Sequence, residues 1–190
     1  MTLYHQIIVA LWLGLTLYWA VSAISAKRNV GPRNWWKGRG VRLLIILFFL
    51  LVARLPALRH TLSINQEFTA SHPLMGLGGV ALCALGLGLA VYARVYLGRN
   101  WGMPMSQKEN PELVTTGPYA AIRHPIYTGL LLAMVGSAIG ASVFWVLPLV
   151  VFGAYFIYSA RREEKLMIEQ FPQEYPAYMR RSKMLVPFLF

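Results

Sequence analysis

Aspartate is absent from this chain of 190 residues, cysteine occurs once, and only 13% of the residues are charged. The single cysteine, Cys83, can build neither a disulfide framework nor a zinc cluster within the chain. Soluble domains carry about 25% charged residues, and disordered chains carry few apolar ones. Because 57% of this chain is hydrophobic, it fits neither class, and its composition predicts one small bundle of helices in lipid.

The charges that are present are strongly unbalanced. Eighteen lysines and arginines outnumber seven glutamates, which gives a net charge of +11. In a soluble protein such an excess would favour nucleic-acid binding, but in so apolar a chain an anionic membrane surface is the better interpretation. We therefore expect membrane lipids, and no nucleic acid, among the partners.

Five apolar stretches organise the sequence, and each predicts a helix in the membrane. They cover residues 3–24, 41–58, 74–96, 126–141 and 143–158. Only small uncharged residues separate the last two, so we expect a tight antiparallel hairpin. The prediction is an all-α integral membrane bundle of five transmembrane helices with a cytoplasmic C-terminal helical segment. It forms one structural domain, in which residues 1–93 hold the first three helices and residues 94–190 hold the rest.

Small residues recur at helical spacing in the third and fourth stretches. Gly129, Ala133, Gly136 and Gly140 follow one another at intervals of four, three and four residues, which places them on one helix face. In lipid, such a face lets a neighbouring helix approach closely. The third stretch contains glycines that would allow the same: Gly76, Gly78, Gly79, Gly86 and Gly88.

The basic residues indicate the orientation of the helices. Residues 27–42 contain six lysines and arginines, whereas the loop after the second stretch contains only Arg54 and Arg59. We place the other cations on the same side of the membrane as the first group, which gives sixteen cations on that side and two on the other. Cytoplasmic loops are rich in Lys and Arg. We therefore predict a location in the inner or cytoplasmic membrane, with the N-terminus outside and the C-terminus in the cytoplasm.

Polar residues concentrate in two segments, 94–123 and 159–190, which flank the predicted hairpin. In the first segment, Pro125 favours a helix start directly after His124. A helix N-terminus beside Arg123 would attract a carboxylate or a phosphate. The first segment therefore contains a candidate anion-binding position.

The second segment contains two adjacent acids, Glu163 and Glu164. Because the hairpin returns the chain to the side from which it entered, we expect them near His124, where they could bind an amine or a hydroxylated ring. Other interpretations stay open at this point. His124 could be an ordinary interfacial histidine, and the charged residues could be contacts to lipid headgroups.

The ordered pair of motifs resembles a known family. Residues 113–119 read Leu-Val-Thr-Thr-Gly-Pro-Tyr, residues 123–129 read Arg-His-Pro-Ile-Tyr-Thr-Gly, and residues 162–166 read Arg-Glu-Glu-Lys-Leu, followed by Tyr175 and Tyr178. Together they are similar to the isoprenylcysteine carboxyl methyltransferase family and to the broader group with the integral membrane phospholipid N-methyltransferases. The resemblance covers about half of the chain. Membrane sterol reductases share only the string Arg-His-Pro-x-Tyr.

The resemblance implies an S-adenosylmethionine site under the membrane surface, with a lipid-side opening for a lipid-like or prenylated substrate. The residues that it assigns to the cofactor are Gln107, Pro111, Glu112, Leu113, Val114, Tyr119, His124, Pro125, Ile126, Tyr127 and Glu163. The residues that we assign to catalysis and the acceptor are Arg123, Arg162 and Glu164, with Arg161 as a neighbour. No metal is implied.

The predicted activity is methyl transfer from S-adenosylmethionine, with O-methylation of a carboxylate favoured. A carboxylate is ionised at neutral pH and needs only orientation, which an arginine provides. An amine or thiol acceptor would need a base, for which Glu163, Glu164 and His124 are candidates. The alternatives are N- or S-methylation of a phospholipid or small amphiphile, an NADPH-dependent membrane reductase, and a helical membrane protein without enzymatic activity.

Overall fold

The computed structural model describes residues 2–22, 72–98 and 112–186. Within these ranges the chain forms α-helices and no strand, which confirms the all-α prediction for them. The second apolar stretch, residues 41–58, lies outside the described residues. The helices are α1 (Leu3–Ser22), α2 (Pro73–Leu97), α3 (Pro125–Gly140), α4 (Val146–Gln170) and α5 (Glu174–Arg181), and short 3-10 turns at Gly117–Tyr119 and Val143–Trp145 precede α3 and α4.

Three helical segments among the described residues are long and apolar enough to cross a membrane: Leu3–Ser22, Pro73–Leu97 and Val143–Gln170. Helix α3 is apolar as well, but it has only 16 residues. At 1.5 Å per residue it is about 24 Å long, which is shorter than the hydrocarbon core of about 30 Å. The chain therefore has the helices of an integral membrane protein, and the described residues contain three full-length candidates where we predicted five spans.

The predicted hairpin of the last two apolar stretches is formed by α3 and α4. Helix α3 begins at Pro125, as the sequence predicts, with His124 outside the helical region at φ −126° and ψ 59°. At the other end, Ser142 Oγ accepts a hydrogen bond from Phe144 N (3.2 Å) and caps the turn into α4. Helix α4 continues past the apolar stretch to Gln170, so Glu163 and Glu164 lie on the same helix as that stretch.

Helices α2 and α3 pack with their backbones in direct contact. A Cβ added at Gly79 would collide with the backbone of Gly140, and one at Gly86 would collide with the backbone of Gly129. Gly136 faces the backbone of Cys83 in the same way. The predicted small-residue face of α3 is therefore confirmed as the face that packs against α2, and Cys83 is a buried core residue.

The close packing predicts different effects for two glycines. We expect Gly136→Ala to lower the free energy of unfolding by about 1–3 kcal/mol, because its Cβ would push the two helices apart. A Cβ added at Gly88 would meet nothing within 4 Å. The free energy of unfolding of Gly88→Ala should therefore stay within about 0.5 kcal/mol of that of the unchanged protein. Unfolding of detergent-solubilised protein, followed by circular dichroism, measures both. Equal losses would contradict the close contact.

Helix α1 packs across α2 and α3 through its aromatic residues. Trp12 Nε1 donates to Ser137 Oγ on α3 (3.0 Å), and the Trp12 ring stacks on Trp145 at 5.2 Å between centroids. At the opposite end of α1, the buried Arg94 of α2 donates to the carbonyls of Ser22 (2.7 Å) and Gly98 (2.8 Å). These contacts fix α1 against the bundle at two levels.

Candidate functional site

The chain that follows α5 returns to the start of α3. Arg123 N donates to Lys183 O (2.8 Å), and His124 N donates to Met184 O (3.1 Å). These bonds belong to a short parallel bridge between the two segments. The backbone before α3 is therefore held in place by a segment about sixty residues later in the chain.

The imidazole of His124 lies between the two acids of α4. Its Nδ1 is 3.5 Å from Glu163 Oε2, and its Nε2 is 3.4 Å from Glu164 Oε1. The side chains of His124 and Glu164 are buried, whereas that of Glu163 is 26% exposed. The hairpin thus brings together the three residues that the sequence places near one another, and Glu163 is the acid that still reaches the surface.

Aromatic rings form one wall of this cluster. The Tyr127 ring lies almost parallel to the His124 ring, at 5.5 Å between centroids, and stacks on the Phe156 ring at 4.5 Å. Tyr127 also donates its hydroxyl proton to Glu163 Oε1 (2.6 Å). Pro125 is fully buried beside it. The stack orients both the imidazole and the exposed carboxylate.

Arg123 is bound by its own chain. Its Nε donates to Glu164 Oε1 (2.6 Å), and its Nη1 donates to the carbonyls of Ser182 (2.5 Å) and Met179 (3.4 Å). The side chains of Arg123 and Glu164 are both more than nine-tenths buried. The arginine beside the start of α3 therefore pairs with a carboxylate of the protein and joins α4 to the end of α5.

The other arginines assigned from the sequence lie elsewhere. Arg161 and Arg162 are exposed on α4, next to the two acids in sequence. A guanidinium in this position is accessible to a ligand from outside the bundle. Of the three residues assigned to catalysis, Arg162 is therefore the exposed one, and Arg123 and Glu164 form a buried pair.

Two tyrosines of the site hold the loop before α3. Tyr178 on α5 donates to Tyr119 O (2.5 Å), and Tyr119 donates to Ala93 O on α2 (3.3 Å). Burial raises the pKa of Tyr178 to about 12 and raises the pKa of Tyr119 further above its ordinary value. Both phenols are therefore protonated donors at neutral pH, and Tyr119 has a structural contact at the position that the resemblance assigns to the cofactor.

The protonation of His124 is decided by two opposed effects. Burial disfavours the charged imidazolium, but the carboxylates of Glu163 and Glu164 favour it more, so the pKa of His124 is raised above its ordinary value. The imidazolium and the guanidinium of Arg123 then balance the two carboxylates. The site holds two charges of each sign in a largely buried cluster.

The raised pKa of His124 predicts a pH dependence of stability. A group with a raised pKa in the folded state contributes stability that is fully present below its unfolded pKa of about 6.5 and is lost as the pH rises through the folded pKa. We expect the melting temperature to fall with rising pH above neutrality, and His124→Asn to remove most of that slope. Thermal unfolding of both proteins over this range measures it. An unchanged slope in His124→Asn would assign the dependence to another group.

The remaining residues assigned to the cofactor lie at the edge of this cluster. Ile126 is half-buried in the first turn of α3, and Leu113 and Val114 are half-buried in an irregular segment before it. Glu112 is exposed. Gln107 and Pro111 lie outside the described residues. Within the described ranges, no three histidine, cysteine or acidic side chains are grouped to hold a metal ion.

Three residues of the cluster were missed in the sequence. Phe156 and Ser159 lie seven and four residues before Glu163 on α4, so helical spacing places them on its face and could have indicated them. Ser182 accepts from Arg123 through its carbonyl, and nothing in the local sequence indicates that contact.

Two curated proteins are similar to part of this chain. The nickel-cobalt-cadmium resistance protein NccN of Alcaligenes xylosoxydans xylosoxydans is 29% identical over 113 residues, which is 58% of this chain and 53% of that protein. The cobalt-zinc-cadmium resistance protein CzcN of Cupriavidus metallidurans is 32% identical over 108 residues, 55% of this chain and 50% of that protein. The chain therefore spans about half the length of the curated relatives that it matches.

A solved structure and a protein family also match. The structure of the eukaryotic intramembrane Ras methyltransferase ICMT (isoprenylcysteine carboxyl methyltransferase) aligns over 84% of this chain and 55% of that chain, with a TM-score of 0.52 and 21% identity. At this identity the likeness shows the fold. Residues 74–174, from α2 to the start of α5, match the phospholipid methyltransferase family. This match covers more than half of the chain and contains His124, Glu163 and Glu164, and it confirms the resemblance of the motifs: the chain belongs to the phospholipid methyltransferase family.

Proposed function

We propose that the protein is an integral membrane methyltransferase, which transfers the methyl group of S-adenosylmethionine to a lipid-like or prenylated acceptor. The observation that carries this proposal is the cluster of His124 between Glu163 and Glu164 at one end of a membrane hairpin. It lies inside the range that matches the phospholipid methyltransferase family. A cluster at a helix end can receive one reactant from water and the other from lipid.

The side chains of the cluster fit a cofactor with an amino-acid part and a ribose. His124 Nε2 is buried and makes no hydrogen bond of normal geometry with the described residues. It lies 3.4 Å from Glu164 Oε1, which already accepts from Arg123, so a carboxylate of the cofactor can compete for the imidazolium proton. The carboxylate of Glu163 is partly exposed and can accept from a hydroxyl or an ammonium group. S-adenosylmethionine would supply a methyl group made electrophilic by its sulfonium. We propose that His124, Tyr127 and Glu163 hold it, with the segment at Leu113 and Val114 beside them.

The protein's contribution to this reaction is alignment and exclusion of water, because methyl transfer is an in-line displacement that needs no covalent residue. The buried pair of Arg123 and Glu164 holds the imidazole in place. The ring stack of Tyr127 and Phe156 closes one side with apolar surface. Both features support a site in which two reactants are positioned away from bulk water.

For the acceptor we favour a carboxylate, which would be O-methylated. Arg123 is occupied by Glu164 and two backbone carbonyls, whereas Arg162 is exposed nearby on α4. An arginine binds a carboxylate through two parallel hydrogen bonds. We propose that Arg162 orients the acceptor, and that the site faces the cytoplasm, with the N-terminus outside, as the distribution of cations supports.

Calorimetry on the detergent-solubilised protein tests the proposed function. We expect S-adenosylhomocysteine to bind and NADPH not to bind. Binding of NADPH alone would favour the reductase alternative, and binding of neither would favour a helical membrane protein without enzymatic activity. Incubation with lipid extracts and labelled S-adenosylmethionine, followed by separation of the labelled products, would then identify the acceptor.

A further inference from the structure

Ser159 is a buried polar residue that the proposed site leaves unused. Its side chain is fully buried on α4. Its Oγ makes no hydrogen bond of normal geometry with any described residue, although it lies beside the phenol of Tyr127. A buried hydroxyl without a partner destabilises a protein, because it has lost its contacts with water and gained none in return. Buried polar groups without a partner are rare in folded proteins, so each one calls for an explanation, and a role in the site is one.

Other hydroxyls in the described helices have an acceptor in the protein. Thr16 (2.8 Å) and Ser137 (2.8 Å) each donate to the carbonyl four residues earlier, and Thr128 donates to Leu185 O (2.5 Å) in the segment after α5. A bond to the carbonyl four residues earlier is the usual solution for a serine or threonine on a helix in lipid. Ser159 has the same backbone conformation around it but does not make this bond. Its hydroxyl proton is therefore not bound to a carbonyl of its own helix.

The location of Ser159 points to the polar end of a ligand that enters from the membrane. It precedes Glu163 by one helical turn, about 6 Å along the axis, on the side of the apolar part of α4. Its hydroxyl faces the phenol of Tyr127, whose own proton is donated to Glu163. Toward the membrane, Phe156 follows on the same face with an apolar ring. Ser159 thus lies between the charged residues of α4 and its apolar part.

We propose that Ser159 is a binding residue for the methyl acceptor, and that its hydroxyl donates a hydrogen bond to an oxygen of a carboxylate head on an alkyl chain. This inference rests on the proposed function and extends it to the substrate class. The alkyl chain would lie along the apolar part of the α3–α4 hairpin, and Arg162, on the next turn, would approach the same head from outside. The cofactor has no need of Ser159, because it enters from the water side, at Glu163.

The test compares Ser159→Ala with Ser137→Ala, which removes a buried hydroxyl that does have partners in the bundle. Each protein is placed in phosphatidylcholine nanodiscs and titrated with dodecanoate, dodecylamine and S-adenosylhomocysteine, and its melting temperature is measured. We expect Ser159→Ala to weaken dodecanoate binding about tenfold and to leave S-adenosylhomocysteine binding within about twofold. Its melting temperature should equal that of the unchanged protein, whereas that of Ser137→Ala should fall.

Each other outcome overturns the inference. Weaker S-adenosylhomocysteine binding with unchanged dodecanoate binding would show that the Ser159 hydroxyl contacts the cofactor and not the acceptor. A melting temperature as low as that of Ser137→Ala would show that Ser159 has a partner in the protein. Dodecylamine binding without dodecanoate binding, or no saturable binding of either, would contradict the carboxylate head. The proposed function fails separately, if the unchanged protein does not bind S-adenosylhomocysteine.

Discussion

Replacing Arg123 by glutamine should lower the free energy of unfolding by about 3–5 kcal/mol, because the buried carboxylate of Glu164 then loses the cation that compensates it. The same change removes the hydrogen bonds to the carbonyls of Ser182 and Met179, which join the end of α5 to the start of α3. Unfolding of the solubilised protein with increasing sodium dodecyl sulfate, followed by tryptophan fluorescence, measures the loss.

Two further variants separate the ion pair from a general effect of charge. Arg162→Gln removes an exposed arginine from the same region, and exposed charges contribute about 0–1 kcal/mol. In the double variant Arg123→Gln with Glu164→Gln, no buried charge is left without a partner, so part of the lost stability should return. A double variant as unstable as Arg123→Gln alone would show that the carbonyl contacts, and not the pair with Glu164, make Arg123 important.

Much of the hairpin could be predicted from the sequence, because its signals are local. Pro125 fixes the start of α3 through the geometry of its ring. The small residues of α3 lie at helical spacing, and the face that they define does pack against α2. Once both helices of the hairpin are placed, the chain must return to the side from which it entered, so His124 and the adjacent acids lie close together.

The contacts of Arg123 could not be predicted in this way. Its partners Met179 and Ser182 lie more than fifty residues later, beyond α4, and no periodic pattern connects them. The sequence places Arg123 among the reacting groups, because an arginine beside a helix start attracts anions. The structure gives it an anion of the protein itself, Glu164. Similarly, the apolar pattern ends at residue 158, but α4 extends to Gln170 because charged residues there still favour a helix.

The two acids of α4 therefore have different surroundings, although they are adjacent in sequence. Glu164 is buried and is bound by Arg123. Glu163 is 26% exposed and is oriented by Tyr127. Because a buried, paired carboxylate is costly to disturb, its loss should mainly affect folding. An exposed, oriented carboxylate is instead suited to bind a ligand, so its loss should mainly affect binding.

Glu163→Ala should therefore weaken S-adenosylhomocysteine binding by about ten- to hundredfold, which is the range for loss of hydrogen bonds to a charged group. His124→Ala should weaken it at least about tenfold for the same reason. Isothermal titration calorimetry of the solubilised variants measures both, with circular dichroism to show that they are folded.

Glu169→Ala is the matched control, because Glu169 is an exposed acid of the same helix. The affinity of Glu169→Ala for S-adenosylhomocysteine should equal that of the unchanged protein. Unchanged affinity in folded Glu163→Ala and His124→Ala would refute the assignment of this cluster to the cofactor, because these two side chains are the ones that we propose to hold it.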